Sequence, residues 1–221
     1  MEREKCCERM TSVTFRLLRK ADEPELKTLL KEQLFDVPSY MLALLNNTMC
    51  HVVWAAVGLL CGFASHSVLF GLSALFLTPF LVFAVLSVGF KLSIDKYLND
   101  IQTGVYDYWT TENRALWVAV YGGHIVGSTA ICKKDDRSAE IQRVVTDVRM
   151  RGKGIARRLL RMASKGAKDM GVRTLTLHTS HPLKAAITLY RSEGFQQISE
   201  TKVFGGLLTV FGFTKQIDDF G

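Results

Sequence analysis

Six consecutive residues, Arg151-Gly152-Lys153-Gly154-Ile155-Ala156, follow Thr146-Asp147-Val148 and lead into a stretch of helical periodicity. A strand that turns through glycines into a helix offers unpaired backbone N–H groups at the positive end of the helix dipole, a ready site for phosphate oxygens. Gly152 and Gly154 put no side chain in the path of a diphosphate, and Ala156 almost none. The run is not a P-loop, because no Gly-Lys-Ser/Thr stands four residues after a first glycine. It is not GxGxxG with an acidic residue at the next strand end either. Its chemistry is to hold a phosphate ester.

The elements around this loop read as alternating strands and helices. Val13 to Arg19 alternates like a strand, and Asp22 is placed to cap a helix with Leu26, Leu29, Leu30 and Leu34 on one side. Tyr97 to Trp109 reads as helix. Leu116 to Tyr121 and His124 to Lys133 read as two strands joined at Gly122-Gly123, and Glu140 to Val148 as a third. Gly154 to Met170 has a helical apolar face with Gly171 as its stop. Val172 to Thr179 is a strand, Pro182 to Glu193 a helix, and Phe195 to Val203 and Leu207 to Lys215 are closing strands.

Read as Arg151-x-x-Gly154-x-Ala156 followed by Leu159-Leu160, the loop resembles the acetyl-CoA signature of the GNAT N-acetyltransferase superfamily. Ala186-x-x-Leu189-Tyr190-x-x-x-Gly194-Phe195 resembles that superfamily's second marker. Together they cover about Leu116 to Lys215, with Val13 to Leu34 as the matching first strand and helix. The resemblance implies an α/β GNAT acyl-CoA N-acyltransferase fold, a mixed twisted sheet flanked by helices. It also implies acetyl-CoA as co-substrate with no metal, and an amine as acceptor. An apolar insertion after the first helix looks like the camello-like, N-acetyltransferase-8-type membrane enzymes, which include acetylators of cysteine conjugates, of aspartate and of protein lysines.

An amine must shed a proton before it attacks a thioester, and the departing thiolate gains by receiving one. By resemblance, Tyr190 is the acid beside the CoA sulfur. Two candidates stand for the base: Glu140, eleven residues before Arg151, and His178, twelve before Tyr190. A water chain with no single base is the third possibility. The backbone N–H groups of Val144, Val145 and Thr146 are expected to hold the pantetheine and polarise the carbonyl. Where many relatives carry an asparagine seven residues before the tyrosine, this chain has Leu183. A catalytically weak CoA-binding membrane module is the alternative function.

Net charge +7 coexists here with 48% hydrophobic residues, which points to two regions of different character. Lys133 to Arg173 holds 13 Lys/Arg against 5 Asp/Glu, so the basic excess surrounds the loop. It lacks interleaved aromatics, and nucleic acid is not the expected partner. Val37 to Phe90 contains no charged residue, and Met41 to Phe63 and Val68 to Phe90 are each long enough to span a hydrocarbon core of about 20 residues. The expected division is 1–36 for the first β-α unit, 37–90 for a membrane-inserted apolar helical hairpin, and 91–221 for the rest of the catalytic domain. Strands on both sides of the hairpin must reach one sheet, so its ends lie on one side of the bilayer. Lys27, Lys31, Lys91 and Lys96 place that side in the cytoplasm. The endoplasmic reticulum is the expected membrane. The five cysteines, Cys6, Cys7, Cys50, Cys61 and Cys132, have no metal or disulfide spacing, which fits a reducing compartment.

Overall fold

The computed structural model describes residues 13–33, 48–97, 104–180, 183–203 and 208–217. The chain divides into two compact units, Met1–Phe35 with Asp100–Gly221, and Asp36–Asn99.

In the first unit β1 (Val13–Leu17) precedes α1 (Glu23–Gln33). A short helix α4 (Val105–Trp109) leads to β2 (Arg114–Tyr121), β3 (His124–Lys133) and β4 (Ser138–Thr146). Then come α5 (Ile155–Asp169), β5 (Thr174–Ser180), α6 (Lys184–Ser192), β6 (Gln196–Val203) and β7 (Leu208–Gln216). All seven strands form one sheet in the order β1-β2-β3-β4-β5-β7-β6. Only β4 and β5 pair in parallel. Such a pair needs a crossover, and α5 supplies it.

Leu116, Trp117, Val118 and Ala119 are all buried, so the middle of the sheet is covered on both faces. Trp117, Ala119, Ile131, Leu175, Leu177 and Phe213 pack with Ile155, Leu159 and Ala163 of α5 and with Ile187 and Tyr190 of α6. On the other face α1 buries Leu26, Leu29 and Leu30 over β3 and β4, and α4 buries Val105 and Trp109 beside β2. The amphipathic pattern of α5 is the reason it docks: its apolar residues recur on one side and its cations on the other.

Two sequence expectations change here. Asp22 does not cap α1 by its side chain. It sits in a 3-10 turn, Lys20–Asp22, and its carboxylate accepts from the Arg16 guanidinium and from the Arg19 amide at 2.8 Å. The Arg16 hydrogen bond holds that carboxyl below its ordinary value. The helix read over Tyr97 to Trp109 shrinks to Val105–Trp109; Tyr97 ends an earlier helix, and residues 98–103 lie outside the described residues. Leu34 and Pro182 lie outside them too.

The second unit holds α2 (Thr48–Ser65) and α3 (Val68–Tyr97). They pack through glycine: a Cβ on Gly71 would lie 2.8 Å from the Gly62 Cα, and one on Gly58 3.0 Å from the Leu75 Cβ. The turn satisfies its own polar groups. Ser65 Oγ donates to the Cys61 carbonyl at 2.6 Å, and Ser67 N–H donates to the Gly62 carbonyl at 3.2 Å. Leu59, Phe63, Val68, Leu69, Phe76 and Phe80 are exposed.

The sequence leaves two courses open for the hairpin, two crossings or a re-entrant turn; among the described residues no helix is long and apolar enough to cross a membrane. In α2 the reason is visible. The apolar run between His51 and Ser65 rises only about 20 Å, against a hydrocarbon core of about 30 Å. Residues 34–47, where the first crossing was to begin, lie outside the described residues.

Gly166 in α5 is explained by Trp117, since a Cβ there would lie 2.4 Å from the indole Cζ2. Alanine at 166 gains about 1 kcal/mol of helix propensity and incurs overpacking of about 1–3 kcal/mol. Gly166→Ala is therefore expected to lower the urea midpoint of the detergent-solubilised protein, and an equal or higher midpoint contradicts this packing.

Candidate active site

β4 and β5 pair only over Ser138–Glu140 and Thr174–Thr176. Beyond Glu140 they part, although β4 continues to Thr146 and β5 to Ser180. A β-bulge accompanies the parting. Ala130 faces Gln142 but Ser128 faces Val145, so Arg143 and Val144 stand opposite Thr129 alone. Arg143 has φ of 54°, in the left-handed region. Ser128 Oγ donates to the Arg143 carbonyl at 3.0 Å and pins the bulge. The far edge of β5 pairs with β7 along Thr174–Ser180. The sheet is thus open between Ile141–Thr146 and Leu177–Ser180.

At the end of the bulged strand lies the glycine loop. A 3-10 turn, Val148–Met150, is followed by Gly152 at φ 75° and Gly154 at φ 76°. Nothing lies within 4 Å of a Cβ built on either, so conformation rather than space demands glycine there. Gly154 starts α5 without a side-chain cap, and the first helical bond is from Arg158 N–H to the Gly154 carbonyl at 3.1 Å. The amides of Ile155, Ala156 and Arg157 therefore have no acceptor within the helix. The Ile155 side chain is core, so its contribution to a ligand is the N–H alone.

Arg151 donates to the Thr146 carbonyl at 3.4 Å and to Gln33 Oε1 at 3.1 Å, and Lys153 Nζ lies 3.0 Å from the Met150 sulfur. Val145 is buried and Val144 packs on the core. The Thr146 hydroxyl is buried with no hydrogen-bond partner among the described residues.

Ala139, Ile141, Leu175 and Leu177 face α5 and α6. By alternation Glu140, Thr176 and His178 face the other side. There the register sets Arg114, Cys132, Glu140 and Thr176 in one cross-strand row. Glu140 and His178, alternatives in the sequence, come together: Glu140 Oε1 lies 3.3 Å from His178 Nδ1. Glu140 Oε2 accepts from Lys134 Nζ and Gln142 Nε2, each at 2.8 Å. Burial pushes the Glu140 carboxyl up, but the hydrogen bonds and the Lys134 charge together outweigh it and leave it below the ordinary glutamate value.

Tyr190 belongs to the core on the opposite face. Its ring is buried on α6, 6.1 Å from the rings of Phe195 and Phe213. Desolvation raises the phenol well above its ordinary value, so it stays protonated at neutral pH. Leu183 begins α6, where no side chain caps the helix.

Three contributors carried no signal of their own in the sequence. Lys134 and Gln142 are found only through the Glu140 register. Asp147, nearly buried, accepts from the Arg149 amide at 2.8 Å and guanidinium at 2.6 Å and so shapes the turn before the loop; its one hint was an Asx-turn spacing. The basic face of α5 is also partly neutralised, because Glu193 holds Arg157 at 3.0 Å and Arg161 at 2.9 Å. Among the described residues, no three His, Cys, Asp or Glu side chains could hold a metal ion.

A mixed sheet opened beside a helix start with free amides can seat a phosphate-bearing ligand. Residues 88–195, just under half of the chain, match the model of the Acetyltransferase (GNAT) family. It is similar to N-acetyltransferase 8 of Rattus norvegicus, 35% identical over 57% of this chain and 59% of that protein. It is similar to N-acetylaspartate synthetase of Danio rerio, 27% identical over 88% of this chain and 71% of that protein. An uncharacterized N-acetyltransferase, YjgM, of Escherichia coli (strain K12) is 34% identical over 42% of this chain and 58% of its own length. The first and third of these matches thus span less than two thirds of the relative.

The Arg149 hydrogen bond holds the Asp147 carboxyl below its ordinary value. Its support of the turn is therefore present above about pH 4 and lost as pH falls further. Asp147→Ala is expected to speed amide exchange of Arg149 about tenfold or more at neutral pH, measured by hydrogen exchange. Unchanged exchange contradicts the anchoring role.

Proposed function

We propose that the chain is an acetyl-CoA-dependent N-acetyltransferase that moves acetyl to an amine by direct attack in a ternary complex, working at a membrane. The observation that carries this reading is the opening between β4 and β5, flanked by the glycine loop at one end and by the Glu140–His178 pair on one face. The diphosphate of acetyl-CoA takes the N–H groups of Arg151 to Ala156, and the pantetheine lies along Val144, Val145 and Thr146 in place of the missing strand contacts. The amine arrives from the face of Glu140 and His178.

In the reaction the amine loses its proton to the Glu140–His178 pair and its lone pair forms the C–N bond. The thioester C–S bond then breaks, the sulfur leaves with the electron pair, and Tyr190 supplies its proton. The acceptor class follows the resemblance in outline: an amine on a small molecule, such as an amino acid or a cysteine S-conjugate, or on a protein lysine.

For the hairpin, the exposed Leu59, Phe63, Leu69, Phe76 and Phe80 support burial in lipid, since apolar surface of that extent has no stable place in water. The short apolar rise of α2 and the self-satisfied turn favour a re-entrant hairpin over two full crossings. β1 and β2 flank the hairpin in sequence and pair with each other, so both its ends return to one side of the bilayer. We assign that side to the cytoplasm on the flanking lysines and the membrane to the endoplasmic reticulum by resemblance.

Tyr190→Phe is expected to cut kcat for CoA thiol release about tenfold to hundredfold, with acetyl-CoA affinity changed less than about threefold. The assay supplies aspartate, S-substituted cysteines and lysine peptides in turn; release from none of them, with CoA still bound, overturns the transferase reading. In a flotation experiment with phosphatidylcholine vesicles, the full chain is expected to float and a variant with Leu59, Phe63, Leu69 and Phe76 changed to serine to remain below. Flotation of both contradicts the anchor.

A further inference from the structure

The two oxygens of Glu140 have different partners. Oε2 accepts from Lys134 Nζ and from Gln142 Nε2, while Oε1 is left to His178 Nδ1. The Lys134 side chain is half exposed, but its backbone is fixed. It begins a tight turn in which its own amide donates to the Ser138 carbonyl at 2.9 Å, and Asp135 accepts from the amides of Arg137 and Ser138, each at 2.8 Å. Its neighbour Lys133 is engaged with Asp136 at 3.6 Å.

We propose that Lys134 is a positioning residue: by holding Oε2 it keeps Glu140 an anion that orients His178, so the imidazole, not the carboxylate, takes the proton of the acceptor amine. This deepens the transferase reading and rests on it. With Nδ1–H donating to Glu140, Nε2 is the acceptor. Gly212 pairs with His178 across β5 and β7, and a Cβ on it would lie 3.6 Å from Nε2 and 2.3 Å from the Ser199 hydroxyl oxygen, so only glycine fits beside the ring. The lowered carboxyl of Glu140 agrees, because a carboxylate that readily stays ionised is a weak base towards an ammonium.

The charged and titratable groups that face the pair are identifiable from each element. On β3 and the turn after it they are Cys132 and Lys134, on β2 Arg114, and on α4 Tyr108, over whose ring Arg114 lies at 4.1 Å. From β5, β7 and β6 the neighbours are Thr176, Gly212 and Ser199, which carry no charge. Lys134 is thus the cation that offsets Glu140 directly.

Removing Lys134 leaves Glu140 uncompensated beside the imidazole and favours imidazolium, whereas Glu140→Gln removes the anion and disfavours it. The acid limb of the kcat/KM profile is therefore expected to move up by roughly half to one pH unit in Lys134→Met, down by a similar amount in Glu140→Gln, and to return to its original place in Lys134→Arg. A merely structural role would lower the rate without moving the two variants in opposite directions.

The same substitutions are followed in the full chain in detergent, without substrate, by the ring C–H resonance of His178, assigned through its loss in His178→Ala. Opposite displacements of its titration, matched by the rate profiles, support the proposal. A His178 titration that Lys134→Met leaves unmoved overturns it. Displaced resonances with an unmoved acid limb also overturn it, by removing His178 as the proton acceptor. An unaltered protein that releases no CoA thiol defeats the transferase reading instead, and leaves the resonance arm to judge Lys134.

Discussion

The site depends on one constraint, that β4 cannot stay paired with β5. An intact parallel ladder would seal the middle of the sheet, and groups on its two faces could not reach a common atom. The bulge at Arg143 prevents this by placing two residues of β4 against one of β3, and the hydrogen bond from Ser128 to the Arg143 carbonyl holds it. A non-glycine residue at positive φ costs on the order of 1 kcal/mol, and it persists because β3 and the covered faces of the sheet over-determine it. β5 is held by β7 along its other edge as far as Ser180.

The division of labour follows from the opening. Tyr190 lies on the α5/α6 side, where burial keeps the phenol neutral, and Glu140 lies on the α1/α4 side, where Lys134 and Gln142 keep the carboxylate charged. On the proposed reading, proton donor and proton acceptor lie on opposite faces of the sheet, and the opening between β4 and β5 is where they would meet the substrate. The glycine loop occupies the end of the same opening because β4 runs straight into it, with Asp147 setting the angle of the turn.

Much of the fold was legible in the sequence because its signals are local. Gly122-Gly123, the amphipathic face from Ile155 onward and the stop at Gly171 each act within one turn or helix, and apart from the helix read from Tyr97 the elements fall within a few residues of their expected bounds. The loop was legible for the same reason. The joining of Glu140 to His178 was not, since it depends on which residues a parallel ladder places abreast after a crossover of some thirty residues. Arg143 shows no preference for the left-handed region, so the bulge left no trace. Asp22 misled because a carboxylate before a helix can serve a cap or a nearby guanidinium, and Arg16, set by β1, took it. In the apolar segment, composition reported the absence of charge and not helix length, so it left two crossings and a re-entrant hairpin equally open where α2 has a shorter apolar rise.

The account stands most directly on where the acyl carrier lies. A crystal structure of the full chain with CoA bound is predicted to show the diphosphate on the backbone amides between Gly152 and Ala156, and the pantetheine between Ile141–Thr146 and Leu177–Ser180. CoA bound elsewhere, with that opening empty or closed by a continuous β4–β5 ladder, would contradict it.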